Sequence, residues 1–350
     1  MQAVYFEQHG ELDVLRYGSV PDPVLGKGEV LVRMKAAALN FNDIWARKGL
    51  PRVALPLPHI SGTDGAGVIA ALGPGTSGVR VGDEVMTYCV RSCRQCSACL
   101  AGEEVFCRQM RIWGFQTGPL DGSYAQYAKL QVEQVAPKPA HLSWFEAAAT
   151  STSLLSVWRM LVTRARVVAG EHVLVWGASG GTGSFALQLL VVLGAVPIAV
   201  TSSRAKAQFC ERMGARHVIL TSKEDVHETV WGQVRAITHG RGVDVVFDHV
   251  GATVWPTSVE CLRWGGRLVI CGATAGYEAR IDLRYLWNKQ LSFLGSHIGT
   301  HREWIACLKL VEQGKIRPPV TEVFPLAELA KAQAAMERRE IMGKVAVDCA

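Results

Sequence analysis

His172-Val-Leu-Val-Trp-Gly-Ala-Ser-Gly-Gly-Thr-Gly183 is the stretch on which the reading of the whole chain turns. An apolar run of strand type passes directly into a glycine-rich turn, and residues 184–193 continue with the apolar content of a buried helix. Glycines let the backbone turn tightly and approach a ligand closely. The helix start behind them offers free N–H groups and a partial positive charge, the complement of a pyrophosphate. In this strand–turn–helix context the pattern points to a dinucleotide site, with Gly177, Ser179, Gly180, Gly181, Thr182 and Gly183 as contacts.

Downstream, apolar runs at 198–200, 218–220, 243–247 and 267–270 are separated by helix-length segments. Alternation of this kind reads as a parallel sheet covered by helices on both faces. The second strand leads into Ala199-Val-Thr-Ser-Ser-Arg-Ala-Lys206, and no acid occurs between Gly183 and Glu211. An acid about 20 residues after the glycines is the usual partner of a ribose 2′-hydroxyl. Ser202, Ser203, Arg204 and Lys206 instead offer hydroxyls and positive charge, so NADP(H) is favoured over NAD(H). Asp248-His-Val-Gly251 and Cys271-Gly-Ala273 end later strands on the same side, and the backbone of Val250 and Gly272 is expected to line the nicotinamide pocket.

Upstream, short β-like runs at 29–37, 66–72, 83–88 and 124–130 are broken by glycine and proline, as in a mostly antiparallel domain. After residue 295 a helix at 302–313 and a strand at 344–347 restore a mixed pattern. The expected organisation is a β-rich domain built from residues 1–150 and 294–350, with a nucleotide-binding domain at 151–293 inserted between them. A small lobe at about 89–110 carries Cys93-x2-Cys96-x2-Cys99-x7-Cys107. The two-residue gaps turn successive sulfurs toward one centre, and the longer gap returns the chain to close a tetrahedron. Four thiolates leave no open coordination position, so the lobe is expected to hold one structural zinc per chain.

Composition narrows the class. A net charge of +6 without long runs of one sign suits a polyanionic cofactor and gives no reason to invoke nucleic acid or membrane lipid. Ten cysteines behind a non-basic start, Met1-Gln-Ala-Val-Tyr5, argue for a reducing, cytoplasmic setting rather than a disulfide framework. The apolar stretch 185–200 contains Gln188, Gly194 and Pro197 and reads as helix, turn and strand rather than a membrane span.

Glycine turn, cysteine lobe and domain order together resemble the medium-chain dehydrogenase/reductase superfamily over essentially the whole chain. Supporting segments are Ala38-Leu-Asn-Phe-Asn-Asp43, Gly62-Thr-Asp-Gly-Ala-Gly67, Val81-Gly-Asp-Glu-Val85, Gly122-Ser-Tyr-Ala-Gln-Tyr127 and Gly343-Lys-Val345. The resemblance implies a GroES-like catalytic domain plus a Rossmann domain, an α/β architecture, with homodimers or homotetramers formed through a Rossmann sheet edge around residues 266–277. Zinc-dependent members carry a Cys, a His and a Cys or Asp as catalytic ligands. The matching positions here are Asn40, Thr63 and Thr152, as in the zinc-free quinone reductase branch.

By that resemblance Asn40, with Asn42 and Thr63 as further polar candidates, stands near the nicotinamide, and Trp45 walls the acceptor pocket. Lys344 reaches the cofactor or is surface charge. Asp43 belongs to a capping or ion-pair arrangement, and His249 is either a proton donor or structural. Without a Lewis acid, hydride transfer from NADPH to an electron-poor quinone or α,β-unsaturated carbonyl is the easier chemistry. The alternatives are a zinc-type dehydrogenase of small alcohols or aldehydes, and a cofactor-binding redox sensor or interaction protein with little catalysis.

Overall fold

The computed structural model describes residues 1–51, 53–222 and 225–350. It divides into two compact units: Met1–Ser153 with Thr300–Ala350, and Leu154–Gly299. The first segment supplies β1 (Glu29–Ala38), β2 (Asp64–Leu72), β3 (Glu84–Thr87), β4 (Tyr127–Gln131) and β5 (Val135–Pro137). The inserted unit carries β6 (His172–Val175), β7 (Val196–Thr201), β8 (His217–Leu220), β9 (Val243–Asp248), β10 (Leu262–Ile270) and β11 (Ser292–Gly295). The last segment adds β12 (Val320–Pro325) and β13 (Lys344–Asp348). Five helices matter below: α1 (Phe41–Lys48), α2 (Ser151–Trp158), α3 (Gly181–Val192), α4 (Arg204–Arg212) and α5 (Leu283–Asn288).

In the first unit the strands run β12-β13-β1-β2-β3-β5, with β4 paired to β1. All of these pairings are antiparallel except β12 with β13. The core holds Val30, Val32, Met34, Ile69, Val85, Trp113, Leu130, Val345 and Val347, so both ends of the chain share one apolar interior. Trp113 is buried to 1% exposure and anchors its indole N–H on the Lys129 carbonyl at 3.1 Å.

The inserted unit is a parallel sheet in the order β8-β7-β6-β9-β10-β11. Every residue of β9 is buried, Asp244 and Asp248 included, as expected of a central strand covered on both faces. This is the doubly wound order in which the chain reverses direction between β6 and β9, and ligands of such sheets bind beyond the strand carboxyl ends at that reversal. The GroES-like plus Rossmann architecture expected from sequence is the architecture observed. The stretch 185–200 resolves into α3, a turn and β7, and no helix among the described residues is long and apolar enough to cross a membrane.

Candidate active site

The polar cluster of the first unit is set by strand register. Ala38, the last residue of β1, lies opposite Asp64 at the start of β2 and opposite Ala346 of β13. The Leu39 N–H then donates to the Val345 carbonyl at 2.9 Å, which brings Lys344 level with Asn40. At Asn40 the chain turns into α1, with the Asn40 N–H donating to Asp43 Oδ2 at 2.8 Å across the first turn. Thr63 is directed inward by Gly62, whose φ of +106° and 2.2 Å approach of Ser123 Oγ to an added Cβ exclude a side chain.

The three positions that the resemblance sets against catalytic zinc ligands, Asn40, Thr63 and Thr152, come together. Asn40 Nδ2 donates to Thr63 Oγ1 at 3.2 Å, and the Thr152 and Thr63 hydroxyls lie 3.5 Å apart. Asn42 Nδ2 approaches Thr63 Oγ1 at 3.5 Å. Asp64, fully buried, is spent on both oxygens: Oδ1 accepts from the Thr152 N–H at 2.8 Å, and Oδ2 accepts from Asn40 Nδ2 at 2.9 Å.

Lys344 departs from one of its two sequence-based expectations. It is no surface charge: its residue is 3% exposed, and burial lowers its ammonium below the ordinary lysine range, opposed by Asp64 and Asp43. Its Nζ donates to Leu39 O and Asn40 Oδ1 at 2.8 Å and lies 3.4 Å from Asp64 Oδ2 and Ser153 Oγ. Four acceptors already surround its three donors, leaving none uncommitted for a cofactor. Ser153, whose hydroxyl also donates to Asn40 Oδ1 at 3.2 Å, carried no sequence signal at all. Asp43 sits beneath, accepting from the Tyr124 hydroxyl at 2.6 Å, and burial pushes its carboxyl up to about 7. Trp45 is half-buried and meets Phe41 edge to face at 5.5 Å.

In the inserted unit, the glycine turn forms a close cradle. Gly177 has φ +57°, and an added Cβ on Gly183 would lie 2.4 Å from the Gly177 carbonyl, so the start of α3 packs directly on the turn. Gly180 caps α3 without a side chain to occupy its first N–H groups, and the residues therefore fit a bound pyrophosphate. Ser179 is buried, whereas Gly180, Gly181 and Thr182 are half-buried. At the end of β7, Ser202, Ser203 and Arg204 are exposed and Lys206 half-buried, with Ser203 capping α4 through the Lys206 N–H at 3.3 Å. Asp248 Oδ1 accepts from the Val250 and Gly251 N–H groups at 2.7 and 3.0 Å and so fixes the turn after β9. Gly272 follows β10 and is half-buried. His249 packs against Gly177, and burial lowers its imidazole to about 4, so the ring is neutral at pH 7.

The cysteine lobe gathers its four sulfurs. Cys93, Cys96, Cys99 and Cys107 place all four Sγ atoms within 4.8 Å of one another, with Cys93 3.9 Å from Cys99 and 3.5 Å from Cys107. A tetrahedral zinc with Zn–S of about 2.3 Å sets its sulfurs about 3.8 Å apart, so this donor set fits one ion. Backbone N–H groups of Gln95 and Cys96 draw the Cys93 thiol down to about 6. Cys89 stands outside the set, its thiol pushed up to about 12 by burial.

Comparison with known proteins agrees with both units. Residues 26–140 match the alcohol dehydrogenase GroES-like domain, and residues 181–313 match the zinc-binding dehydrogenase family. A crotonyl-CoA carboxylase/reductase of Cereibacter sphaeroides is 35% identical over 97% of this chain and 84% of its own. A crystal structure described as an NAD-dependent alcohol dehydrogenase superposes with a TM-score of 0.94 at 38% identity, covering 99% of each chain. The 2-octenoyl-CoA carboxylase reductase CinF, in complex with NADP and 2-octenoyl-CoA, superposes with a TM-score of 0.90 at 32% identity, over 99% of this chain and 87% of that one. On fold, motifs and these likenesses together, the chain belongs to the medium-chain dehydrogenase/reductase superfamily and is an NAD(P)-dependent oxidoreductase.

Proposed function

We propose that this enzyme uses NADPH to reduce a carbon–carbon double bond conjugated to a carbonyl, with an enoyl thioester as the leading substrate class and no metal at the reacting centre. The observation that carries the reading is the neutral cluster of Asn40, Thr63 and Thr152, in which no side chain is a strong zinc ligand, beside an Asp64 hydrogen-bonded on both oxygens. Bound NADPH supplies the hydride. The chain supplies position and polarity: the turn at 177–183 would cradle the pyrophosphate, while Ser202, Ser203, Arg204 and Lys206 would meet the 2′-phosphate. Reduction of a conjugated acceptor spreads the incoming charge onto an oxygen that needs only hydrogen-bond donors, which suits a cluster of amides and hydroxyls. The acyl-CoA substrates named for the relatives belong to this acceptor class. Cys93, Cys96, Cys99 and Cys107 would hold one zinc that braces the lobe.

A second reading, alcohol dehydrogenation with NAD, is favoured by the likeness to the structure bearing that description. One assay separates them. Crotonyl-CoA, a simple quinone and benzyl alcohol are offered with each of the matching NADPH, NADH, NADP and NAD forms, beside a metal analysis. The proposal expects brisk oxidation of NADPH with the thioester, slower use of NADH, little alcohol oxidation, and one zinc per chain. Alcohol oxidation that disappears with brief chelation and returns with zinc would overturn it.

A further inference from the structure

Of the two asparagines at the start of α1, Asn40 is the one that resemblance puts first near the nicotinamide, yet its amide has nothing left to offer. A primary amide has two N–H donors and two acceptor lone pairs. Asn40 uses both donors, on Asp64 Oδ2 at 2.9 Å and Thr63 Oγ1 at 3.2 Å. It uses both lone pairs as well, accepting from Lys344 Nζ at 2.8 Å and Ser153 Oγ at 3.2 Å. Those partners are themselves buried, with Asp64 at 0%, Lys344 at 3% and Ser153 at 4% exposure. Pulling Asn40 out of this set would leave a buried ammonium and a buried carboxylate without their shared amide. Thr63 is fully buried too and is already approached by three side chains.

Asn42 is different. The side chain belongs to a half-buried residue, and its Nδ2 makes one long contact, to Thr63 Oγ1 at 3.5 Å. At least one of its N–H groups is uncommitted. Its Oδ1 is turned inward and has no partner among the described residues, an uncompensated cost that a residue kept only for packing has no reason to carry. The helix holds it in place, since the Asn40–Asp43 bond fixes the turn from which it projects.

We propose that Asn42, and not Asn40, is the catalytic amide: its free N–H donates to the carbonyl oxygen of the conjugated acceptor, while Asn40 is a structural brace tied to Lys344, Asp64 and Ser153. This rests on the conjugated-acceptor reading above. In the reduction a C–H bond forms at the β-carbon with a hydride from NADPH, the C=C pair shifts toward the carbonyl oxygen, and a solvent proton completes the α-carbon. The Asn42 N–H strengthens its bond as charge collects on that oxygen.

Three variants test the assignment in the full-length protein, with crotonyl-CoA as acceptor. Asn42→Ala should lower kcat about a hundredfold, the scale of losing one oxyanion donor, while thermal midpoint and NADPH affinity by fluorescence stay put. Asn42→Asp, which keeps the shape but cannot donate when ionised, should do no better. Asn40→Ala should lower the thermal midpoint by several degrees, since it strips partners from buried charges. In difference Raman spectra, a bound non-turnover enoyl thioester should show a carbonyl stretch that moves back toward its solution value in Asn42→Ala. The assignment fails alone if the unaltered enzyme reduces crotonyl-CoA and Asn42→Ala keeps kcat within threefold. If the unaltered enzyme reduces no conjugated acceptor, the functional reading and this assignment fail together.

Discussion

Asp43 keeps its carboxyl at 1% exposure under the polar cluster, and the competition around it sets a pH dependence. Burial pushes its pKa up to about 7, against the pull of the Tyr124 hydroxyl, the Asn40 N–H and the more distant Lys344 ammonium. An unfolded aspartate titrates near 3.9. Between about pH 4 and 7 the folded state therefore holds a proton that the unfolded chain has released, and stability falls as pH rises through that window. Asp43→Asn keeps an oxygen for Tyr124 and Asn40 but removes the titration. Thermal midpoints measured from pH 4.5 to 8 should show the unaltered protein losing ground to the variant as pH rises; parallel curves would refute the assignment. Single residues also mark the limit of sequence reading. That Asn40, Asn42 and Thr63 gather in one cluster could be expected because each sits in a local motif, whereas the bonds of Lys344 depend on β13 pairing with β1, a contact 304 residues apart in the chain. No local pattern encodes such a partner.

Elements whose physics is local were the most legible. The apolar runs read at 173–176 and 243–247 correspond to β6 and β9, buried on both faces, and the cysteine set lies within one short lobe. Boundaries were less legible: α3 begins at Gly181, inside the glycine turn itself, because glycine there lets helix and turn overlap. The lobe supports an element-scale prediction. Its helix Ser97–Leu100 buries no residue, only Val90 and Ile112 are buried in its short pair Val90–Arg91 with Arg111–Ile112, and Leu100 and Phe106 remain 76% and 66% exposed. With so little core of its own, the lobe is expected to gain its cross-link from the proposed metal. Cys96→Ser should reduce bound zinc to well below one per chain and lower the thermal midpoint, while turnover per folded molecule with crotonyl-CoA survives at low temperature. Elemental analysis and calorimetry check this, and a variant with unchanged midpoint would show that the ion does not brace the fold.

At the scale of the whole molecule, the inserted unit presents an edge that a monomer leaves costly. Among the described residues β11 pairs only with β10, so its outer N–H and C=O groups form an open template. In the segments that flank these two strands in the chain, Trp264, Tyr277, Leu283 and Trp287 are 62%, 69%, 63% and 69% exposed. The Gly265 N–H donates to the Lys289 carbonyl at 2.7 Å, tying the start of β10 to the end of α5. Large side chains of this kind bury on the order of 200 Å² each, so together they offer about 500 Å² of apolar surface. A stable interface takes about 800 Å² per partner, with an apolar centre and a polar rim. The four side chains are enough for the centre, and the open strand supplies directional bonds around it. We therefore expect two chains to join through this edge, giving a particle of twice 38.0 kDa or a tetramer built from such pairs. Trp287→Glu places a charge that would have to be desolvated at the joint. In sedimentation velocity at micromolar concentration it should halve the assembled mass, with little change in the far-ultraviolet dichroism of the fold. An unaltered protein that sediments at the mass of one chain, or a variant that assembles as well as its parent, would rule this edge out as the subunit contact.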